Sequence, residues 1–149
     1  MRWIDILNEG KKTYYHGSYD KLPVGTLLTS KNNYEDNWKH ADFYFPLEKY
    51  RPKYMIPHSA AVFLCDNPDD IDLCGGGTDW LFTVEPIGKI EKHDLSWASE
   101  ISCLIGDYSI DSNEIKEAAL NYWNGIEHPN SSVWEFLVNS AIILKVEEY

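Results

Sequence analysis

Cysteine is scarce in this chain and poorly placed for cross-linking. Cys65, Cys74 and Cys103 are three in number and show no C-x-x-C pairing, which supports neither a disulfide framework nor a thiolate zinc site. Reduced thiols of this kind fit a cytosol. Basic residues are few as well: 13 Lys and Arg against 24 Asp and Glu leave a net charge of −11. That field repels a phosphate backbone and argues against direct nucleic-acid binding, while favouring a basic partner. No apolar run approaches the length of a membrane span, and the opening Met1-Arg2-Trp3-Ile4-Asp5-Ile6-Leu7-Asn8-Glu9 meets acids too early for a secretory apolar region. The expectation is a cytoplasmic protein without a membrane partner. His40, His93 and His128 lack the short paired spacing of ligands, so no metal is expected. Ser18 and Ser96 lack the glycines of a nucleophile elbow, and Cys65 reads as a buried structural thiol.

What the chain does have is length and aromatic bulk. Its 149 residues, 44% of them apolar, are enough to bury roughly two-thirds of the unfolded surface in one core. Strand, helix and turn signals are mixed without internal repeats, so the fold class read from the sequence is α+β, with a single domain over 1–149. Thr13-Tyr14-Tyr15-His16 is a short β-prone run stopped by Gly17, and Leu22 to Leu28 reads as a turn leading into a brief extended piece. Asn32 onward shows helical spacing, with one helix expected to about Tyr44 because Pro46 should end it. Ala60 to Cys65 suits a buried strand. Gly75-Gly76-Gly77 reads as a hairpin loop, followed by a strand over Asp79 to Glu85 that Pro86 should stop. The clearest helix carries Ile115, Ala118, Ala119, Tyr122 and Trp123 on one face, between capping-type residues at Asp111-Ser112-Asn113-Glu114 and Gly125. Phe136 to Val146 is a β-branched run of the kind that fills a sheet interior.

Two places in this layout are chemically suggestive. His16 closes a strand immediately before Gly17-Ser18, where a ring can face a cleft and a glycine lets backbone approach a ligand. Taken alone, a turn histidine bonded to its own backbone is the better reading. Glu135 stands at the mouth of a late strand, and taken alone it reads as a solvent-facing residue beside a buried Trp134. The two gain weight together.

Tyr15-His16-Gly17-Ser18 followed by Leu22-Pro23-Val24-Gly25-Thr26-Leu27-Leu28 resembles the His-Gly-Thr opening and Leu-x-x-Gly-x-x-Leu segment of rifamycin ADP-ribosyltransferases. Leu81-Phe82-Thr83-Val84-Glu85-Pro86-Ile87-Gly88 is similar to the Tyr-x-Val-Glu-Pro-x-Gly strand of that family, with Glu91 and Asp94 following as acids do there. Glu135 through Val146 resembles the strand that a catalytic glutamate opens in other ADP-ribosyltransferases. The resemblance implies two small packed sheets with flanking helices around a central NAD cleft. It also implies NAD as co-substrate and transfer of ADP-ribose to a macromolecular acceptor, expected to be a host protein with a basic surface.

By the same resemblance His16, Gly17 and Ser18 hold the adenosine and ribose side, Phe63 packs on nicotinamide, and His58 is a further pocket residue. Glu135 stabilises the sugar cation, with Asp94 assisting or substituting and Glu91 a third contender. Phe63 stands where the family often has Tyr, and Val133 where many members carry Glu or Gln, which leaves the acceptor class open. Small acidic members of this kind resemble virus- or mobile-element-encoded modifiers of host defence. Physically, cleavage of the nicotinamide–ribose bond develops positive charge on the sugar, which a fixed carboxylate stabilises. Two alternatives stand beside this reading. One is an inactive acidic protein that blocks a basic surface through residues such as Asp69, Asp70 and Asp72. The other is a same-fold transferase acting on a small molecule or an RNA 2′-phosphate, for which Lys11, Lys12, Lys21 and Arg51 supply local positive charge.

Overall fold

The computed structural model describes residues 12–74 and 76–149; Met1 to Lys11, which include the segment weighed for secretory character, and Gly75 lie outside them. Among the described residues the strands are β1 (Tyr14–Ser18), β2 (Leu27–Thr29), β3 (Val62–Leu64), β4 (Trp80–Ile87), β5 (Glu91–Asp94), β6 (Trp134–Val138) and β7 (Ser140–Glu148). The helices are α1 (Tyr34–Trp38), α2 (Tyr44–Lys49), α3 (Ser96–Leu104) and α4 (Asn113–Trp123). The strands form two antiparallel sheets, one ordered β1-β4-β7-β2 and the other β3-β6-β5. The architecture is α+β, and the β-branched run near the end is two strands rather than one. β6 is the middle strand of the smaller sheet; after Asn139 the chain enters the larger sheet as β7.

Alternation along β6 assigns its side chains to two different cores. Phe136 and Val138 join Val62 and Leu64 against Phe82, Val84, Ala141 and Ile143, filling the space between the sheets. Leu137, of opposite parity, packs with Ile101, Ile115, Ala118, Ala119, Tyr122 and Trp123 under the helices. Glu135 shares that parity and so turns toward the helical layer. Each large aliphatic buried in this way contributes about 1.5–3 kcal/mol.

α4 forms where expected, and its five apolar-face residues are all buried. Ser112 is its N-cap, with Oγ accepting from Ile115 N at 3.3 Å, and Gly125 takes the left-handed φ of 69° just past its end. The segment after Asn32 departs from expectation: two short helices replace one, and Pro46 lies inside α2. It sits in the first turn, where a backbone N–H has no helical acceptor to lose. Nor does Pro86 stop β4, which runs on to Ile87. β1 pairs only Trp80 to Val84, so Pro86 lies beyond the end of β1, where one side of β4 is an open edge that asks for no donor. The two sheets touch where Tyr15 and Cys65 exchange backbone hydrogen bonds of 2.8 and 3.0 Å, an isolated bridge between β1 and β3. Beyond that bridge β1 and β3 are not paired.

Candidate functional site

β3 is the outer strand of the smaller sheet, and His16 meets its free edge. His16 Nδ1 lies 2.8 Å from the Phe63 carbonyl, a group the ladder no longer satisfies, and donates to it. Burial, together with the Lys31 charge, outweighs that bond and holds the imidazole below its usual range, so the ring is neutral and Nε2 is left as the lone-pair nitrogen. His16, Ser18, Lys31, Tyr34, His58 and Phe63 line a cavity of about 180 Å³ at this edge. Phe63 and Tyr34 stack with ring centroids 5.2 Å apart, making a flat aromatic wall.

On the helical side of the same edge lies Glu135. It borders a smaller cavity of about 30 Å³ that shares Tyr34, Trp38, His58 and Phe63 with the first. The expectation of a solvent-facing residue beside a buried Trp134 is reversed: Glu135 is 4% exposed, while Trp134 is half-buried under Lys92. Tyr122 Oη lies 2.8 Å from Glu135 Oε2 and donates to it when the carboxyl is ionised, which lowers its pKa, but burial dominates and pushes the carboxyl up to about 8. A third cavity, of about 340 Å³, continues from the second through Trp38, Phe43, Leu73, Leu95 and Ala98, and is also lined by Val133 and by Ser96, Ser99 and Ser102 of α3. Through these shared residues the three adjoin as one trough, and the buried acid lines the middle cavity.

No family model and no curated protein matches the chain. Its chemistry therefore has to be argued from the trough itself.

The structure brings His16, Ser18, His58, Phe63 and Glu135 to the trough, and leaves the other acids out of it. Asp94 is fully buried, with Oδ1 accepting from Ser96 N (3.0 Å) and Val133 N (3.1 Å) and Oδ2 from His128 N (2.8 Å). Burial alone raises its pKa, but these amides more than offset that and hold it below the usual carboxylate range. It lines none of the three cavities. Asp94 ties the start of α3 to the 128–133 loop. Glu91 is occupied too, accepting from Ile56 N at 2.9 and 3.0 Å and pairing with Lys89 at 2.8 Å.

Gly17 serves a purpose different from close approach to a ligand. A Cβ there would sit 2.1 Å from the Gly77 carbonyl oxygen, so the glycine admits the neighbouring loop, whose Gly77 N donates to Gly17 O at 3.2 Å. Gly76 and Gly77 are thus packed against β1, the arrangement that replaces the expected hairpin tip. Ser18 spends its hydroxyl in a local turn, donating to Asp20 O (2.8 Å) and accepting from Asp20 N (3.0 Å). Sequence reasoning passed over Tyr34, Lys31, Glu48 and the hydroxyl of Tyr122. The last had a signal: a tyrosine on an otherwise apolar helical face needs a buried partner for its O–H. Among the described residues no three His, Cys, Asp or Glu converge as metal ligands, and no helix is long and apolar enough to cross a membrane.

Proposed function

We propose that this chain is an NAD-dependent ADP-ribosyltransferase built on an ADP-ribosyltransferase-like fold, passing ADP-ribose to a basic protein. The observation that carries the reading is that His16 and Glu135, far apart in sequence, line adjoining cavities with four residues in common. Two groups serving one dinucleotide must share one cleft, and a structure with them on opposite faces would have ended the idea.

The donor set fits the dinucleotide's chemistry. The lone-pair Nε2 of His16 accepts from a ribose hydroxyl, and Lys31 in the same cavity faces the pyrophosphate. The Tyr34–Phe63 wall takes the flat nicotinamide ring, and aromatic stacking of this kind contributes about 0.5–1.5 kcal/mol beyond area burial. NAD supplies the glycosidic bond whose cleavage leaves positive charge on the sugar. Glu135 stands beside Phe63 in a site screened from bulk water, where a carboxylate stabilises such charge far better than in solvent. A protonated Glu135 loses its proton when the cationic nicotinamide ring arrives, because an opposite charge at close range favours the ionised form. The acceptor reaches the same acid from the third cavity, whose lining of Phe43, Leu73, Leu95 and Val133 is mainly apolar. The net charge of −11 favours acceptors with basic surfaces.

Incubation with labelled NAD and host lysate tests the reading. Transferred label and free nicotinamide are expected from the wild type, and a loss of at least a hundredfold from Glu135→Ala, the scale set by removing one stabilising group at a developing charge. Neither product from the wild type would refute the transferase and leave the acidic surface as the functional feature.

A further inference from the structure

Three side chains, Tyr122, His58 and Glu48, connect Glu135 to the partly exposed carboxylate on α2, and the function proposed above assigns a role to none of them. Tyr122 Oη contacts Glu135 Oε2 at 2.8 Å and His58 Nε2 at 2.7 Å. The other nitrogen of His58, Nδ1, faces Glu48 Oε1 at 3.4 Å. Both atoms are buried and neither forms a hydrogen bond with any described residue, so the 3.4 Å contact is a close approach without hydrogen-bond geometry. Buried polar atoms are nearly always paired, so two unsatisfied ones facing each other mark the link that must shorten for a proton to pass. Glu48 itself is 26% exposed and flanked by Arg51, with Nε 3.6 Å from its Oε2. The chain of contacts therefore starts at a fully buried acid and ends at one that touches solvent.

We propose that Tyr122, His58 and Glu48 form a proton outlet for Glu135, carrying its proton to solvent when a cation enters the trough. The inference rests on the transferase reading for its purpose and on the geometry for its path. In the resting chain Glu135 is protonated and donates to Tyr122 Oη, Tyr122 donates to His58 Nε2, and His58 carries its proton on Nδ1, directed at the Glu48 carboxylate. In this arrangement His58 is neutral. Burial keeps the His58 imidazole below its usual range, while His58 and Arg51 offset the burial of Glu48 and hold it ionised.

Discharge shifts each proton one place along. The proton of Glu135 passes to Tyr122 Oη, the hydroxyl proton of Tyr122 to His58 Nε2, and the Nδ1 proton to Glu48 Oε1. One proton leaves Glu135, one arrives on Glu48, no heavy-atom bond changes, and the imidazole changes tautomer without acquiring net charge. The negative charge moves from Glu48 to Glu135, where the sugar cation forms. Glu48 then releases the proton to water. In this scheme Tyr122, His58 and Glu48 are positioning residues acting through Glu135.

Other ionisable groups face the two acids and have to be separated from the relay. Tyr34, Cys74 and His93 lie around Glu135, and Tyr44 with Arg51 around Glu48. Arg51 pairs with the other oxygen of Glu48 and the rest act through space, but none lies between two links of the relay, so a double-mutant comparison distinguishes them. The experiment follows the carboxyl stretch of protonated Glu135 by infrared spectroscopy as a function of pH, the band being assigned by its loss in Glu135→Gln. Glu48→Gln removes the charge that orients the chain, frees Tyr122 to donate to ionised Glu135, and lowers the proton affinity of Glu135 at least tenfold. In a Tyr122→Phe background the same substitution changes it less than threefold. An equal change in both backgrounds, which is what unrelayed Coulomb repulsion gives, overturns the proposal, and so does no change in either. His58→Gln breaks the path one link further on and serves as the background if Tyr122→Phe does not fold. No NAD enters the measurement, so its failure leaves the transferase reading intact, and failed label transfer leaves the relay intact.

Discussion

Replacing Glu135 by Gln should stabilise the protein, and by more the higher the pH. Burial pushes the Glu135 carboxyl from 4.5 up to about 8. The folded chain therefore holds a proton that the unfolded chain has released throughout the interval between those values. Stability is greatest below the lower value and falls as pH rises toward the upper one, because there the folded state binds more protons. At about 1.36 kcal/mol for each tenfold in proton affinity, the whole interval is worth about 5 kcal/mol. Roughly 4 kcal/mol of it falls between about pH 5 and about pH 9. That is a large share of the 5–15 kcal/mol that typically separates folded from unfolded states. Gln keeps the shape and a polar contact for Tyr122 and has no proton to lose. Urea unfolding at a series of pH values compares the two proteins: the gap between their midpoints should widen by on the order of 2 M urea across that span. Parallel curves would refute the reasoning, since they would mean that Glu135 titrates alike in folded and unfolded chains.

Two further substitutions test the scaffold. Asp94→Asn should cost about 2–4 kcal/mol in urea unfolding, because an amide cannot serve as a charged acceptor for the three backbone N–H groups that converge on it. Its label transfer, compared at equal folded fraction, should remain within about threefold of the wild type, and a loss as large as that of Glu135→Ala would return Asp94 to the chemistry. Gly17→Ala sets a methyl 2.1 Å from the Gly77 carbonyl oxygen, so the loop must move; a drop in melting temperature of roughly 5–10 °C is expected, and an unchanged one would show that the loop is not held there.

The elements most legible in the sequence were those whose signals are local. α4 combined a capping serine, one apolar face and a closing glycine, all effects that act within a few residues. The prolines misled because their effect depends on position within an element: Pro46 falls in a first turn and Pro86 beyond a partner strand, and neither place is visible without the other strand or helix end. The pairing of His16 with Glu135 was legible as a motif-level expectation. The burial of Glu135 was not, since Trp134 to Val138 is apolar in both parities and alternation cannot say which side faces water. Nor was the saturation of Asp94, whose amide donors come from separate loops that only the folded chain assembles. Tyr122 is legible as a core residue but the partner of its hydroxyl is not, because periodicity describes which face is buried, not what a polar atom finds there.

The passage of one segment through both sheets has a consequence for how the protein is made. β6 is the middle strand of one sheet and β7 an inner strand of the other, and only Asn139 separates them. Until Trp134 to Glu148 has been synthesised, β3 and β5 have no strand between them, and β2 has nothing to pair with. β1 and β4 can pair beforehand, but neither sheet can be completed without this segment, and folding waits for contacts that span most of the sequence, a topology that slows the reaction. The nascent chain must hold Val62, Leu64, Phe82 and Val84 exposed through that interval, when unpaired strand edges are most prone to aggregate. Both sheets should then be completed together, in one late step that also buries the acid lining the middle cavity of the trough.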